Sequence, residues 1–389
     1  MNSRERMIVT LKHRQPDRVP FDMGGCQVTG IHQVAYQNLS RALGMGNKPA
    51  PLADVYQQVV IPPEAFLEHL RVDVRGLYPL TSHNWNVRGT STSEGLEFTD
   101  EWGFVQRFPN GGFWWSQVKS PLDGPDIDPD KLRAYTWPQA ALSERIAGLR
   151  KQALKQREAG YIVMLKGFCA GAFEMGQRIR GMENFLCDVL TDPIGASKVL
   201  DKVNRLKMEF WDMALEELGD VVDIVVETDD YGTQDSQLIS PELFRTMLKP
   251  RLAELFALIK RKLAVKKPAG EQGWLFFHSC GNVRPLLPDF IEIGVDILNP
   301  VHITATGMNP KALKRDFGTD VTFWGGGIET QSVLPRGTLQ QVREDVKRNL
   351  ETLMPGGGYV FNTVHNIQAD VPPENIIAMW ETLQQFGIY

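Results

Sequence analysis

The stretch WLFFHSCGNVRPLLPDFIEIGVDILNPVH, Trp274 to His302, contains two short apolar runs, WLFFHSCG and VDILNPVH, each ending in polar residues. Near-continuous apolar runs of this length suit strands covered on both faces, as in a parallel sheet. Six more runs of the same kind surround them: VPFDMG from Val19, VDVRGLYPL from Val72, YIVMLKGF from Tyr161, VVDIVVETDD from Val221, VTFWGGGIE from Val321 and YVFNTVH from Tyr359. Helical patterns lie between them. Ser240 is a good N-cap with Pro241 at the first helical position. A second pattern runs from Thr191 to Asp220. A third opens near Thr338 and stops before Pro355-Gly356-Gly357-Gly358, and PENIIAMWETLQQFGIY closes the chain. Eight strands alternating with helices are what an α/β chain folded as a (β/α)8 TIM-type barrel requires. A doubly wound open sheet is the rival. No GxGxxG or GxxxxGK[ST] follows the first run, which weakens its dinucleotide and P-loop versions.

The chain has 389 residues, more than the roughly 250 a barrel needs. The surplus is expected as an N-terminal helical extension over the first 60 or so residues and a β-hairpin insertion at 81–120, all within one domain, 1–389. Asn110-Gly111-Gly112 is a turn signal between Val105–Phe108 and Phe113–Val118. The aromatic cluster of Trp102, Phe113, Trp114 and Trp115 reads as a small satellite core, or as a cover for a pocket or partner surface.

With 42% hydrophobic and 23% charged residues, the composition excludes a disordered, collagen-like or coiled-coil chain. A net charge of −5 and the absence of a Lys/Arg run leave no footprint for nucleic acid. No run of about 18 apolar residues exists to span a membrane. The four cysteines are scattered and the start of the chain is charged, so the expectation is a cytoplasmic protein with reduced thiols, as a monomer or homodimer.

Barrel enzymes place their chemistry at the C-terminal strand ends. The polar residues there are Asp22, Cys26, Lys166, Glu227, Asp229, Asp230, His278, Cys280, Asn299, His302, Glu329 and His365. His278 and Cys280 stand at i and i+2 on one strand, so their side chains share a face and can converge. An imidazole with a thiolate is a zinc-type pair. His365 is the first choice for a third ligand, with Glu227 and Cys26 as the others, and three protein ligands leave one coordination position open. The alternative is a packed thiol beside a hydrogen-bonded imidazole. Glu227 and Asp229 also share a face. They can act as ligand, partner of an imidazole, or acid–base group; the alternative is helix capping and loop fixing, which suits Asp230 and Gln234 equally well. Asp22 is a candidate for stabilising charge or relaying a proton. Gly325-Gly326-Gly327 permits a tight turn or close approach, although barrel loops at this point often hold phosphate. His13, His32, His69 and His83 read as structural or surface residues, and Cys169 and Cys187 as packing residues.

The chain resembles the uroporphyrinogen decarboxylase superfamily, which includes the zinc methyltransferases that take methyl groups from corrinoid proteins. The resemblance rests on RERMIVTLKHRQPDRVPF at the start, TDEWG at Thr99, DDYGTQDSQLISPELFRTMLKP at Asp229, FFHSCGNVRPLLPDFIEIGVDILNPV at Phe276, FGTDVTFWGGGIETQSVLP at Phe317 and GGGYVFNTVHNIQADVPPENI at Gly356. It implies a distorted (β/α)8 barrel. Decarboxylases acting on uroporphyrinogen carry a pair of arginines in an RQAGR-type N-terminal loop; here that stretch is FDMGGCQVTG, without arginine. A substrate with eight carboxylates needs cationic partners, so that reaction is not expected. His278 and Cys280 match the HxC pair of the methyltransferase branch. Where those enzymes place a further cysteine, this chain has His365, in a segment closer to the decarboxylases' GHG. The implied function is zinc-dependent transfer of a methyl group between a corrinoid, or corrinoid protein, and a small thiol or methoxylated substrate. The alternatives are a cofactor-independent decarboxylase of a small carboxylate and a non-catalytic metal- or corrinoid-binding partner.

Overall fold

A computed structural model describes residues 1–80 and 89–389. Seven of the eight apolar runs form one parallel sheet: β1 Val74–Leu77, β2 Ile162–Lys166, β3 Ile224–Thr228, β4 Trp274–His278, β5 Ile297–Asn299, β6 Thr322–Trp324 and β7 Tyr359–Val360, neighbours in that order. The eighth run, at Val19, closes the ring without becoming a regular strand. Phe21 pairs in parallel with Phe361 beyond β7, and its carbonyl accepts the Asp73 N–H ahead of β1 at 2.8 Å. The sheet edges are thereby joined and the barrel expectation is met.

Alternation along the strands sorts the side chains into two cores. Val74, Ile162, Met164, Ile224, Val226, Trp274, Phe276, Ile297, Trp324 and Val360 form the small interior cluster. Their strand neighbours, among them Val163, Val225, Leu275, Phe277 and Leu298, face outward into the larger layer shared with the helices. The longest of these helices, Pro193–Leu218, is capped by the Asp192 side chain; Ser240 caps Pro241–Leu243, and a capping box at Thr338 opens Leu339–Leu353.

The barrel floor is closed by the N-terminal helix Ser3–Leu11, whose Met7 and Leu11 enter the interior cluster. Two fully buried carboxylates lock it there. Asp73 accepts from Arg6, Arg18, Ser3 and the Phe21 N–H; Asp223 pairs with Arg4, Arg157 and Lys267.

The insertion is larger than a hairpin. An antiparallel four-stranded sheet, Thr90–Thr92, Gly95–Thr99, Val105–Pro109 and Ser116–Lys119, stands between β1 and β2, and the expected Asn110-Gly111-Gly112 turn joins its last two strands. Residues 81–88 of the expected insertion, His83 included, lie outside the described residues. Trp102 is buried in the main core, and the partly buried Trp115 packs on Phe98 at 4.6 Å, whereas Phe113 and Trp114 are exposed. His32 caps the helix Gln33–Ala42 and its Nε2 meets the Phe113 carbonyl at 2.8 Å; His13 and His69 also make structural contacts. Among the described residues no helix is long and apolar enough to cross a membrane.

Candidate metal centre at the barrel mouth

The side chain of His278 continues the inward row of Trp274 and Phe276, which brings it to the C-terminal mouth of the barrel. Asn299, its register partner on β5, faces the same way, and His278 Nδ1 lies 2.6 Å from Asn299 Oδ1. The Asn299 amide is oriented in turn by its Nδ2, which donates to the Trp324 carbonyl at 2.9 Å. Asn299 Oδ1 must therefore accept, His278 Nδ1 carries the proton, and the Nε2 lone pair is left free for a ligand.

That lone pair points into a cluster. Cys280 Sγ lies 3.3 Å from His278 Nε2, and Asp230 Oδ1 lies 3.7 Å from the same nitrogen. The donor atoms of Asp230, His278 and Cys280 all fall within 4.8 Å of one another. Asp230 is fixed there because the same Oδ1 accepts the Cys280 N–H at 2.8 Å. Burial pushes the Cys280 thiol well above its usual pKa, and the negative charges of Asp230 and Glu174 push the same way. A cation bound among these groups is what would ionise it. Imidazole, thiol and carboxylate donors together fit zinc.

Among the described residues His365 is not part of that 4.8 Å group, although it feels the charges of two of its members. Its imidazole is held below the ordinary value first by burial and then by the charge of His278, with Asp230 opposing. His302 also borders the mouth, its Nδ1 accepting the Gly281 N–H at 3.1 Å. Glu329 turns away to cap the following loop, accepting from Ser332 and Val333.

The structure does not bring the other sequence-derived candidates to this point. Glu227 and Asp229 do share a face, but not the interior one. Glu227 alternates with the inward Val226 and so enters the helical layer, where Lys207 Nζ lies 2.8 Å from Oε2 and the Trp211 indole donates to Oε1. Lys207 also bonds the carbonyls of Cys169 and Ala170, so this buried pair braces the loop after β2. Asp229 caps the helix Ala172–Arg180, accepting from the Phe173 and Glu174 amides and the Tyr231 hydroxyl. Cys26 is fully buried against Thr29, and burial raises its thiol to about 12. Gly325 and Gly326 have φ of +100° and +74°, and a Cβ on Gly326 would stand 2.8 Å from that of Val301, so this turn serves close packing. Asp230, for which the sequence weighs a functional and a loop-fixing role alike, stands in the donor cluster and also fixes the Cys280 backbone.

Asp22 is fully buried, accepting from the Gly25 amide and the Trp324 indole. Burial raises its carboxyl to about 6, against the pull of Thr29, Gly25 and Trp324. The folded-state value exceeds the unfolded 3.8, so this contribution to stability is complete below about pH 4 and is lost as pH rises through 6. Between pH 4.5 and 7.5 the wild type is expected to lose about 2 kcal/mol that Asp22→Asn does not. Denaturant unfolding of the two proteins at both pH values measures the difference.

The profile of the uroporphyrinogen decarboxylase (URO-D) family matches residues 122–386. The chain belongs to the uroporphyrinogen decarboxylase family. No curated protein matches the sequence significantly. Among solved structures, a methyltransferase from Methanosarcina mazei is similar over 99% of both chains, at 18% identity and a TM-score of 0.63. That likeness shows the family's barrel over the full length. A β-glucosidase from Pyrococcus furiosus covers 68% of this chain and 74% of its own, at 11% identity and a TM-score of 0.36.

Proposed function

We propose that this member of the uroporphyrinogen decarboxylase family is a zinc-dependent methyltransferase or demethylase, moving a methyl group between a corrinoid protein and a small thiol or methoxylated molecule. The observation that carries the reading is the free Nε2 of His278, its tautomer locked by Asn299, facing Cys280 Sγ and Asp230 Oδ1 within 4.8 Å. His278, Cys280 and His365 would hold the metal. Zinc supplies a Lewis acid that lowers the pKa of a bound thiol or draws charge from a methoxyl oxygen. Asp230 holds the Cys280 backbone in place, and Asn299 keeps the His278 ring in its binding tautomer. Glu227 and Asp229 are positioning residues, one bracing the loop after β2 and the other capping the helix that follows it. The full-length likeness to a structure described as a methyltransferase supports the same reading.

Incubation with methylcobalamin and a panel of thiols, and with reduced cobalamin and methoxylated aromatics, tests it. Methyl transfer in either direction, lost in Cys280→Ala, is the expected result. Turnover that survives this substitution, or its absence from both panels, would count against the reading.

A further inference from the structure

Lys166 is the last residue of β2 and follows Ile162 and Met164 on the inward face, so its side chain enters the barrel mouth. An ammonium has three protons to donate. Among the described residues this one makes no hydrogen bond. Its nearest charge is Asp54 Oδ2 at 3.7 Å, beyond bonding distance, while only 20% of its side chain is exposed. The other oxygen of Asp54, Oδ1, accepts the Gln57 N–H at 2.8 Å. A largely buried ammonium whose ion pair is longer than a hydrogen bond keeps donor capacity that an occupant of the barrel mouth would use. The strand order β2–β3–β4 sets Lys166 two strand spacings, roughly 10 Å of backbone, from His278.

We infer that Lys166 is an anion subsite that takes the carboxylate of a small organic acid, leaving the acid's other end to reach the His278–Cys280 group. The inference rests on the proposed function for the role of that second end only; the subsite itself is a binding property and needs no turnover.

Calorimetric titration of the purified protein tests it, using 4-methoxybenzoate and 3-mercaptopropionate, each beside its neutral amide. At least one acid is expected to bind 10- to 100-fold more tightly than its amide, the usual worth of a charge-assisted hydrogen bond. Lys166→Gln should bring that acid down to the level of the amide, and Lys166→Arg should keep part of the preference, with unliganded melting temperatures close to wild type. The subsite is overturned if acids and amides bind alike, if neither acid binds, or if the preference survives Lys166→Gln. A preference that survives Lys166→Gln but vanishes in Cys280→Ser would put the carboxylate on the metal centre instead. Failure of methyl transfer with these binding results intact would remove the proposed reaction and leave the subsite standing.

Discussion

Protein purified without added metal is expected to carry close to one zinc per chain, and Cys280→Ala and His278→Ala are each expected to abolish both the zinc and the methyl-transfer activity. The two residues supply the thiolate and the imidazole of the proposed centre, and their donor atoms are already 3.3 Å apart. Removing either leaves too few protein ligands to hold the ion firmly. Asn299→Ala should do less. It frees the His278 ring from its 2.6 Å hydrogen bond without removing a ligand, a change that ordinarily costs about 10- to 100-fold in metal affinity. Zinc analysis of the dialysed proteins, with circular dichroism to confirm folding, reads all three. Retention of zinc by Cys280→Ala would show that the metal is bound elsewhere.

The second large effect is expected at the opposite end of the barrel. Asp73 has no exposed side-chain surface and neutralises Arg6 and Arg18, themselves 8% and 16% exposed. Asp73→Ala takes the buried carboxylate from two largely buried guanidinium groups, leaving Arg18 without an acid among the described residues and Arg6 with only the half-exposed Asp17, and removes the acceptor for the Phe21 N–H, at the point where the first segment closes the ring. Breaking a buried ion pair of this kind costs about 3–5 kcal/mol. Asp17 also bonds Arg6, but its side chain is 41% exposed, so Asp17→Ala should cost under about 1 kcal/mol. Urea unfolding compares them. Equal losses would mean that the floor network does not hold the barrel together.

The barrel was legible because its strands are covered on both faces and so read as unbroken apolar runs. Even VPFDMG, which makes only a single parallel bridge at Phe21, sits where its apolar character put it. The insertion was half legible. The Asn110-Gly111-Gly112 turn has a local signal, whereas Thr90–Thr92 is exposed throughout and carries no apolar alternation. At the site, two-residue periodicity correctly paired His278 with Cys280 and Glu227 with Asp229. Periodicity says which residues share a face but not which face is inside. That was decided by the neighbours: Trp274 and Phe276 carry His278 inward, while Val225 carries Glu227 outward to Lys207 and Trp211. Asp230 lies just past the strand, where periodicity ends. Its place beside Cys280 depends on a hydrogen bond between loops 50 residues apart, which leaves no local trace.

The most direct test of the account is X-ray absorption at the zinc edge of protein purified without added metal. The expected first shell holds one sulfur at about 2.3 Å and imidazole nitrogens at about 2.0–2.1 Å: two of these if His365 is the third protein ligand. A shell without sulfur, or a protein without zinc, would contradict a His278–Cys280 centre.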